Sequence, residues 1–264
     1  MVSGVVQKLG GTKKIKSCPL KKTIVQLKST RLRAQILVGV REFMQEEVIK
    51  ANLLQIQEDI APCQLNIIAI TKYYDENAII AAYKAGLRNF GESRALEAIK
   101  KIENIPDEIK NNSKFHFIGH LQSNKVKKVV KNFDFIHSVD TLELAEKISE
   151  EAENISKVQS VFLEVNISKE EQKYGFSMDE LKNSFERILT LPNLKIEGLM
   201  SMAPFGAPEK IIQEIFDTTV KLRDELNKNF GGNMQEISMG MSQDYKIAAK
   251  SGATYLRIGR KLFN

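Results

Sequence analysis

The sequence predicts a single closed α/β barrel, a (β/α)8 (TIM) barrel, and three observations carry that prediction. Eight short apolar runs alternate with amphipathic segments. The runs are near-continuously apolar, as strands of a parallel sheet covered on both faces must be. The length, 264 residues, matches the roughly 250 that such a barrel takes. The competing architecture is an open doubly wound sheet, but no G-x-G-x-x-G follows the first run.

Residues 1–34 carry nine basic residues and no acidic one, with interspersed Gly, Ser and Thr. This stretch is expected to be a disordered extension. Its bias is that of an organelle transit peptide, but it is Lys-rich and poorly periodic, and no apolar run of a secretory signal follows it. The barrel domain is expected over residues 35–264. It opens with a helix from Gln35 to Ile60, in which Val40, Phe43, Val48, Ala51, Leu54 and Ile56 fall near helical spacing. Pro62 stops it. The eight runs follow at Leu65–Lys72, Asn89–Ser93, Phe115–His120, Phe133–Asp140, Ser160–Ile167, Leu194–Met202, Gln235–Ser242 and Thr254–Arg260. Between them, Asp75 and Thr141 stand where helix N-caps belong, and Gly86 where a helix stops. Asn264 lies four residues past the eighth run, which leaves no room for a helix there. The 35–60 helix is expected to fill that place in the outer helix ring, since bare barrel surface would be apolar.

Charge and composition exclude several function classes. Nine of the 39 basic residues lie in the extension, so residues 35–264 hold 30 basic against 33 acidic residues, a net of −3. A mildly acidic body does not make a polyanion-binding surface, so nucleic acid is not an expected partner. No stretch approaches the roughly 18 apolar residues of a membrane span, and no membrane association is expected. Cys18 and Cys63 form no CxxC pair and are expected to be reduced and structural, which fits a cytoplasmic location. The three histidines, His116, His120 and His137, show no metal-ligand spacing.

In a barrel of this kind chemistry collects where strands finish, and phosphate sites favour the loops after the seventh and eighth strands. The first run ends in Lys72. Burial of an ammonium at a barrel mouth favours the neutral amine, a nucleophile able to form a Schiff base with an aldehyde. The alternative is a strand-end lysine that reaches solvent. The seventh run ends in Ser238-Met-Gly240-Met-Ser242 and the eighth in Arg257-Ile-Gly259-Arg260. Gly240 and Gly259 allow backbone N–H groups near an anion, Ser238 and Ser242 add hydroxyls, and Arg257 and the Arg260 amide add further donors. A lysine and a phosphate cradle on one rim point to pyridoxal 5′-phosphate (PLP), which needs both.

The segments IIAITK (67–72), NFGESR (89–94), HFIGHLQSNK (116–125), HSVD (137–140), KYGF (173–176), GLMSM (198–202), SMGMSQD (238–244) and RIGRKLF (257–263) occur in that order. Through them residues 35–264 resemble the YggS/PROSC family of PLP homeostasis proteins. The resemblance implies a barrel like the N-terminal domain of alanine racemase, with PLP held as an imine on Lys72. It also implies that Ser238, Gly259 and Arg260 meet the phosphate and that Arg257 lies near the pyridine nitrogen. Two positions depart from the family pattern: Ser93 stands where Asn is frequent, and Arg260 where Thr is frequent, which removes a hydroxyl contact but keeps a backbone N–H.

The expected function is reversible binding of PLP in cofactor homeostasis, without catalysis. An arginine at the ring nitrogen keeps that nitrogen unprotonated and weakens the electron sink. The second domain that gives racemases of this fold their opposing tyrosine is expected to be missing. The alternatives are a PLP-dependent racemase or lyase, with His120 as the best candidate second base, and a regulatory protein whose partner senses PLP occupancy. A monomer is expected, with apo-enzymes that need PLP as recipients. Two further motifs are set aside. Gly86–Glu92 has glycines at P-loop spacing but places Glu92 where the lysine must be. Lys125, Lys127, Lys128 and Lys131 read as a solvated helix face.

Overall fold

A computed structural model describes residues 30–168 and 174–264, with side chains from residue 44 onward. Most of the basic extension, Cys18, and Lys173 of the KYGF segment lie outside the described residues. The first helix, α1, spans Thr30–Ile60, so it begins five residues before the sequence pattern predicts. One compact unit ends at Met44 and the barrel unit comprises Gln45–Asn264.

The barrel has eight parallel strands: β1 (Asn66–Ile70), β2 (Asn89–Glu92), β3 (Lys114–Phe117), β4 (Phe135–Val139), β5 (Gln159–Glu164), β6 (Leu194–Met200), β7 (Glu236–Ser238) and β8 (Tyr255–Ile258). They pair in sequence order, and β1 against β8 closes the ring through Ile67↔Leu256 and Ala69↔Ile258. Every predicted run overlaps a strand, with β3 and β5 starting one residue earlier, but the strands stop two to four residues short of most run ends, because the apolar pattern continues into the rim loops. The helices that follow β1 to β7 are α2 (Glu76–Lys84), α3 (Ala95–Asn104) with the short α4 (Asp107–Asn111), α5 (Val126–Asn132), α6 (Leu142–Glu153), α7 (Met178–Leu189), α8 (Glu209–Phe230) and α9 (Tyr245–Lys250).

Local chemistry sets the helix ends. Asp75 accepts from the Asn77 amide and Thr141 Oγ1 from the Leu144 amide, as the sequence predicts for both caps. Gly86 follows α2 at φ +101°, a conformation that glycine adopts without penalty. Ser177 and Glu180 form a reciprocal capping box at α7.

The expectation of no helix after β8 needs correction, since a single turn, α10 (Arg260–Phe263), ends the chain. One turn buries little, and the second half of α1 supplies the rest. Asn52 Nδ2 donates to the Leu262 and Asn264 carbonyls at 3.0 Å. Asp59 accepts from the Tyr245 hydroxyl and pairs with Lys246 at 2.9 Å.

Strand alternation separates two interiors. Ile67, Ala69, Phe115, Phe117, Val161, Leu163, Leu256 and Ile258 join the apolar layer under the helices. Their neighbours Ile68, His116, His137, Phe162, Ser238 and Arg257 are equally buried but face the barrel axis, where polar groups and aromatic rings meet. Cys63, expected to be structural, is exposed just past α1, with its thiol 3.8 Å from the Ala249 carbonyl. No described helix is long and apolar enough to cross a membrane.

Candidate functional site

Closure of the ring brings the ends of β7, β8 and β1 together on one rim. Lys72 stands two residues beyond β1 and is half-buried. Its Nζ lies 5.2 Å from the Tyr73 ring centroid and meets no hydrogen-bond acceptor or carboxylate among the described residues. The residue before it is clamped. Thr71 N donates to the Gly91 carbonyl at 3.1 Å, Thr71 Oγ1 donates to Glu92 at 2.6 Å, and Lys101 Nζ donates to the Thr71 carbonyl at 2.9 Å. Lys101 also pairs with Glu92 at 2.6 Å, with the carboxylate buried and the ammonium largely covered. Glu92, the residue that spoils the P-loop pattern, therefore braces the anchor of Lys72.

The rim loop after β7 turns back onto β8. Ser242 Oγ accepts from the Gly259 and Lys261 amides at 3.3 and 3.2 Å, which leaves its own proton to donate. The Arg260 amide, at the first position of α10, has no acceptor among the described residues, as expected of a helix start, and its side chain is exposed. Gly240 has a different reason from the one the sequence pattern indicates. At φ +86°, a Cβ there would lie 2.5 Å from Ala248 Cβ and 2.9 Å from Leu256 Cδ2, so the glycine permits a turn against packed neighbours. Gly259 lies beside Ile70, at ordinary contact distance for a Cβ, and ties this loop to the end of β1.

Beneath the rim, Arg257 is buried with Nη1 donating to Ser238 Oγ at 2.8 Å and Nη2 to the Ser201 carbonyl at 2.9 Å. Burial lowers its pKa to about 10, opposed by the charges of Glu164 and Asp244, so it stays cationic at neutral pH. Ser238 is 0% exposed and is engaged from a second side by His137 Nδ1 at 2.9 Å. His137 Nε2 meets His116 Nδ1 at 2.9 Å, and His116 Nε2 meets Asn89 Oδ1 at 3.0 Å. The sequence reading places Ser238 with Ser242 as phosphate donors; the structure sets Ser238 into this interior chain and Ser242 at the rim.

His120, the candidate second base, sits past β3 with Nδ1 3.2 Å from Asp140 Oδ2 and its ring stacked on Tyr174, centroids 3.7 Å apart. Burial raises the Asp140 pKa. Glu164, at the end of β5, is raised to about 7, first by burial and then by Asp140, with Arg257 opposing. Because that value exceeds the ordinary 4.5, Glu164 contributes its stability in full below about pH 4.5 and loses it as pH rises through about 7. Glu164→Gln is therefore expected to be more stable than the parent at pH 8, by up to about 3 kcal/mol, with the advantage gone below pH 4.5 in urea titrations. Lys127, Lys128 and Lys131 line the exposed side of α5. Among the described residues no cluster of three metal-ligating side chains occurs.

The profile of the alanine racemase N-terminal domain matches residues 45–264. A pyridoxal phosphate homeostasis protein of Synechocystis sp. is 41% identical over 202 residues, which cover 76% of this chain and 92% of that protein. The chain belongs to the pyridoxal phosphate homeostasis protein family. Another member of the family, from Aquifex aeolicus, is 38% identical over 75% of this chain and 85% of its own length. PipY of Synechococcus elongatus, solved without PLP and with PLP bound, superimposes with TM-scores of 0.78 and 0.75 at 34% and 33% identity. Both alignments cover 82% of this chain and all of PipY. The family and the closed eight-stranded barrel thus agree with the sequence reading.

Proposed function

We propose that this chain binds pyridoxal 5′-phosphate reversibly on Lys72 and serves homeostasis of that cofactor rather than turning over a substrate. The observation that carries the reading is one rim that holds an amine and a helix-start amide unpaired among the described residues, with an uncommitted hydroxyl beside them. The donor set fits the cofactor. Ser242 Oγ, the Arg260 amide and the exposed Arg260 side chain suit a phosphate dianion, and Arg257 provides a fixed cation below them. Gly240 and Gly259 shape the cradle. When bound, the cofactor supplies an aldehyde that condenses reversibly with an amine. The chain's own part is to present Lys72 on a braced backbone and to hold the anion nearby. The homeostasis role follows from the names of its relatives, and the PLP-bound PipY supports the cofactor assignment. Release of PLP to apo-enzymes, from a monomer, completes the proposal.

The catalytic alternative has one observation in its favour, the His120–Asp140 pair stacked on Tyr174 at the rim. Two measurements decide. Purified protein incubated with PLP is expected to absorb near 420 nm, and borohydride is expected to fix the label on Lys72 and on no other lysine. Lys72→Ala is expected to stay colourless; a label elsewhere overturns the proposal. Amino acids incubated in D2O with the loaded protein are expected to keep their α-protons, and exchange at enzyme-like rates overturns the non-catalytic half.

A further inference from the structure

We propose that Asn89, His116 and His137 are positioning residues for Arg257, acting through a hydrogen-bond relay in which each group donates to the next from Arg257 to Asn89. The functional half of this inference rests on the cofactor reading above. The relay itself does not.

The direction follows from the two ends. A guanidinium can only donate, so Ser238 Oγ accepts from Arg257. Asn89 faces the relay with its carbonyl oxygen, which can only accept, so His116 donates from Nε2. A neutral His116 then has a bare Nδ1, which must accept from His137 Nε2–H. That leaves His137 Nδ1 bare, and Ser238 gives it the hydroxyl proton. Four contacts of 2.8 to 3.0 Å are thereby satisfied with no pair of facing protons or facing lone pairs. The link from His137 on β4 to Ser238 on β7 crosses the barrel axis, so strands that do not pair are tied through side chains.

The surroundings hold both rings neutral and fix the orientation of each. Burial drives His116 down to about 3, with Lys114 adding to the effect, and drives His137 well below its ordinary value, with His116 and Arg257 adding. The carboxyls of Glu164 and Asp244 bear on Arg257, at the far end. His116 stacks on Phe135 at 4.6 Å and His137 on Phe162 at 4.1 Å, and Tyr255 packs across both rings. A planar guanidinium pinned through Nη1 to Ser238 and through Nη2 to Ser201 has its plane fixed. One consequence bears on the rim: the Ser238 proton is committed inward, so Ser242 is the serine left to donate to an anion.

Long-range nitrogen–proton correlation NMR on the full, cofactor-free chain reads the relay directly. His116 and His137 are expected as neutral Nε2–H tautomers throughout pH 5 to 8. Nδ1–H tautomers at both positions would reverse the relay, free the Ser238 proton and overturn the proposal, as would protonation of either ring in that range. The link to Arg257 is read by two variants. His137→Phe keeps the stack but removes the acceptor for Ser238, and is expected to weaken PLP retention about tenfold and to displace the visible absorption maximum. His137→Asn restores an acceptor, and is expected to recover most of the affinity and the parental maximum. An unchanged affinity and spectrum in a folded His137→Phe overturns the positioning role. Failure of the parental chain to take up PLP would overturn the functional reading instead, while the tautomers would still decide the relay.

Discussion

Gly198→Ala is expected to prevent closure of the barrel. Gly198 on β6 pairs with Glu236 on β7, and a Cβ at this position would stand 1.6 Å from the Glu236 carbonyl oxygen and 2.5 Å from its carbonyl carbon. These are backbone atoms, so no rotamer change relieves the clash. β7 is three residues long and is held on its other side by β8, which leaves it little freedom to withdraw. Separating the strands would forfeit ladder hydrogen bonds and open the interior that contains Arg257. We expect a loss above about 4 kcal/mol, seen as insoluble protein or a collapsed thermal transition. Gly206→Ala is the control: Gly206 has a positive φ, +73°, which Gly198 does not, and nothing lies within 4 Å of the added Cβ. It is expected to cost about 1 to 2 kcal/mol. A Gly198→Ala protein melting within a few degrees of the parent would show that the strand approach is not as tight as described.

Lys101→Met is expected to cost about 3 to 5 kcal/mol, because it strands the Glu92 carboxylate, 2% exposed, without its counter-ion. The Thr71 carbonyl loses its donor in the same change. Restoring neutrality should recover much of the loss. In Lys101→Met/Glu92→Gln the amide oxygen can still accept from Thr71 Oγ1, and denaturant midpoints are expected to return more than halfway to the parent. The two variants also separate stability from function. Both loosen the residue next to Lys72, so the double variant is expected to fold yet to take up PLP more weakly, read as absorbance near 420 nm against added cofactor. A single variant as stable as the parent would mean that the ion pair contributes nothing to the fold.

Much of the rim was legible in the sequence because rim motifs are local. SMGMS and RIGR each report a turn, a hydroxyl or a cation within a few residues, and a strand end carries them to a foreseeable place. The helix caps at Asp75 and Thr141 were legible for the same reason. The interior was not. Period-two alternation shows that His116 and His137 point away from the helix layer, but not what they meet. His137 and Ser238 are 101 residues apart, and the pattern around neither names the other. Ser238 reads as a phosphate ligand from its motif, and that motif gives no sign of the contacts it makes with His137 and Arg257. Glu92 and Lys101 are nine residues apart, yet they meet only because α3 folds back over the end of β2.

By itself, then, the amino-acid order determined eight alternating units, their closure into a ring and the side chains offered at its mouth, since each depends on neighbours in the chain or on a repeated hydrophobic period. The tertiary structure alone decided which polar groups spend their protons inside the ring and which keep them for the rim. Hydrogen-bond direction depends on the full set of partners a group meets, and those partners are assembled only when distant strands are brought around one axis.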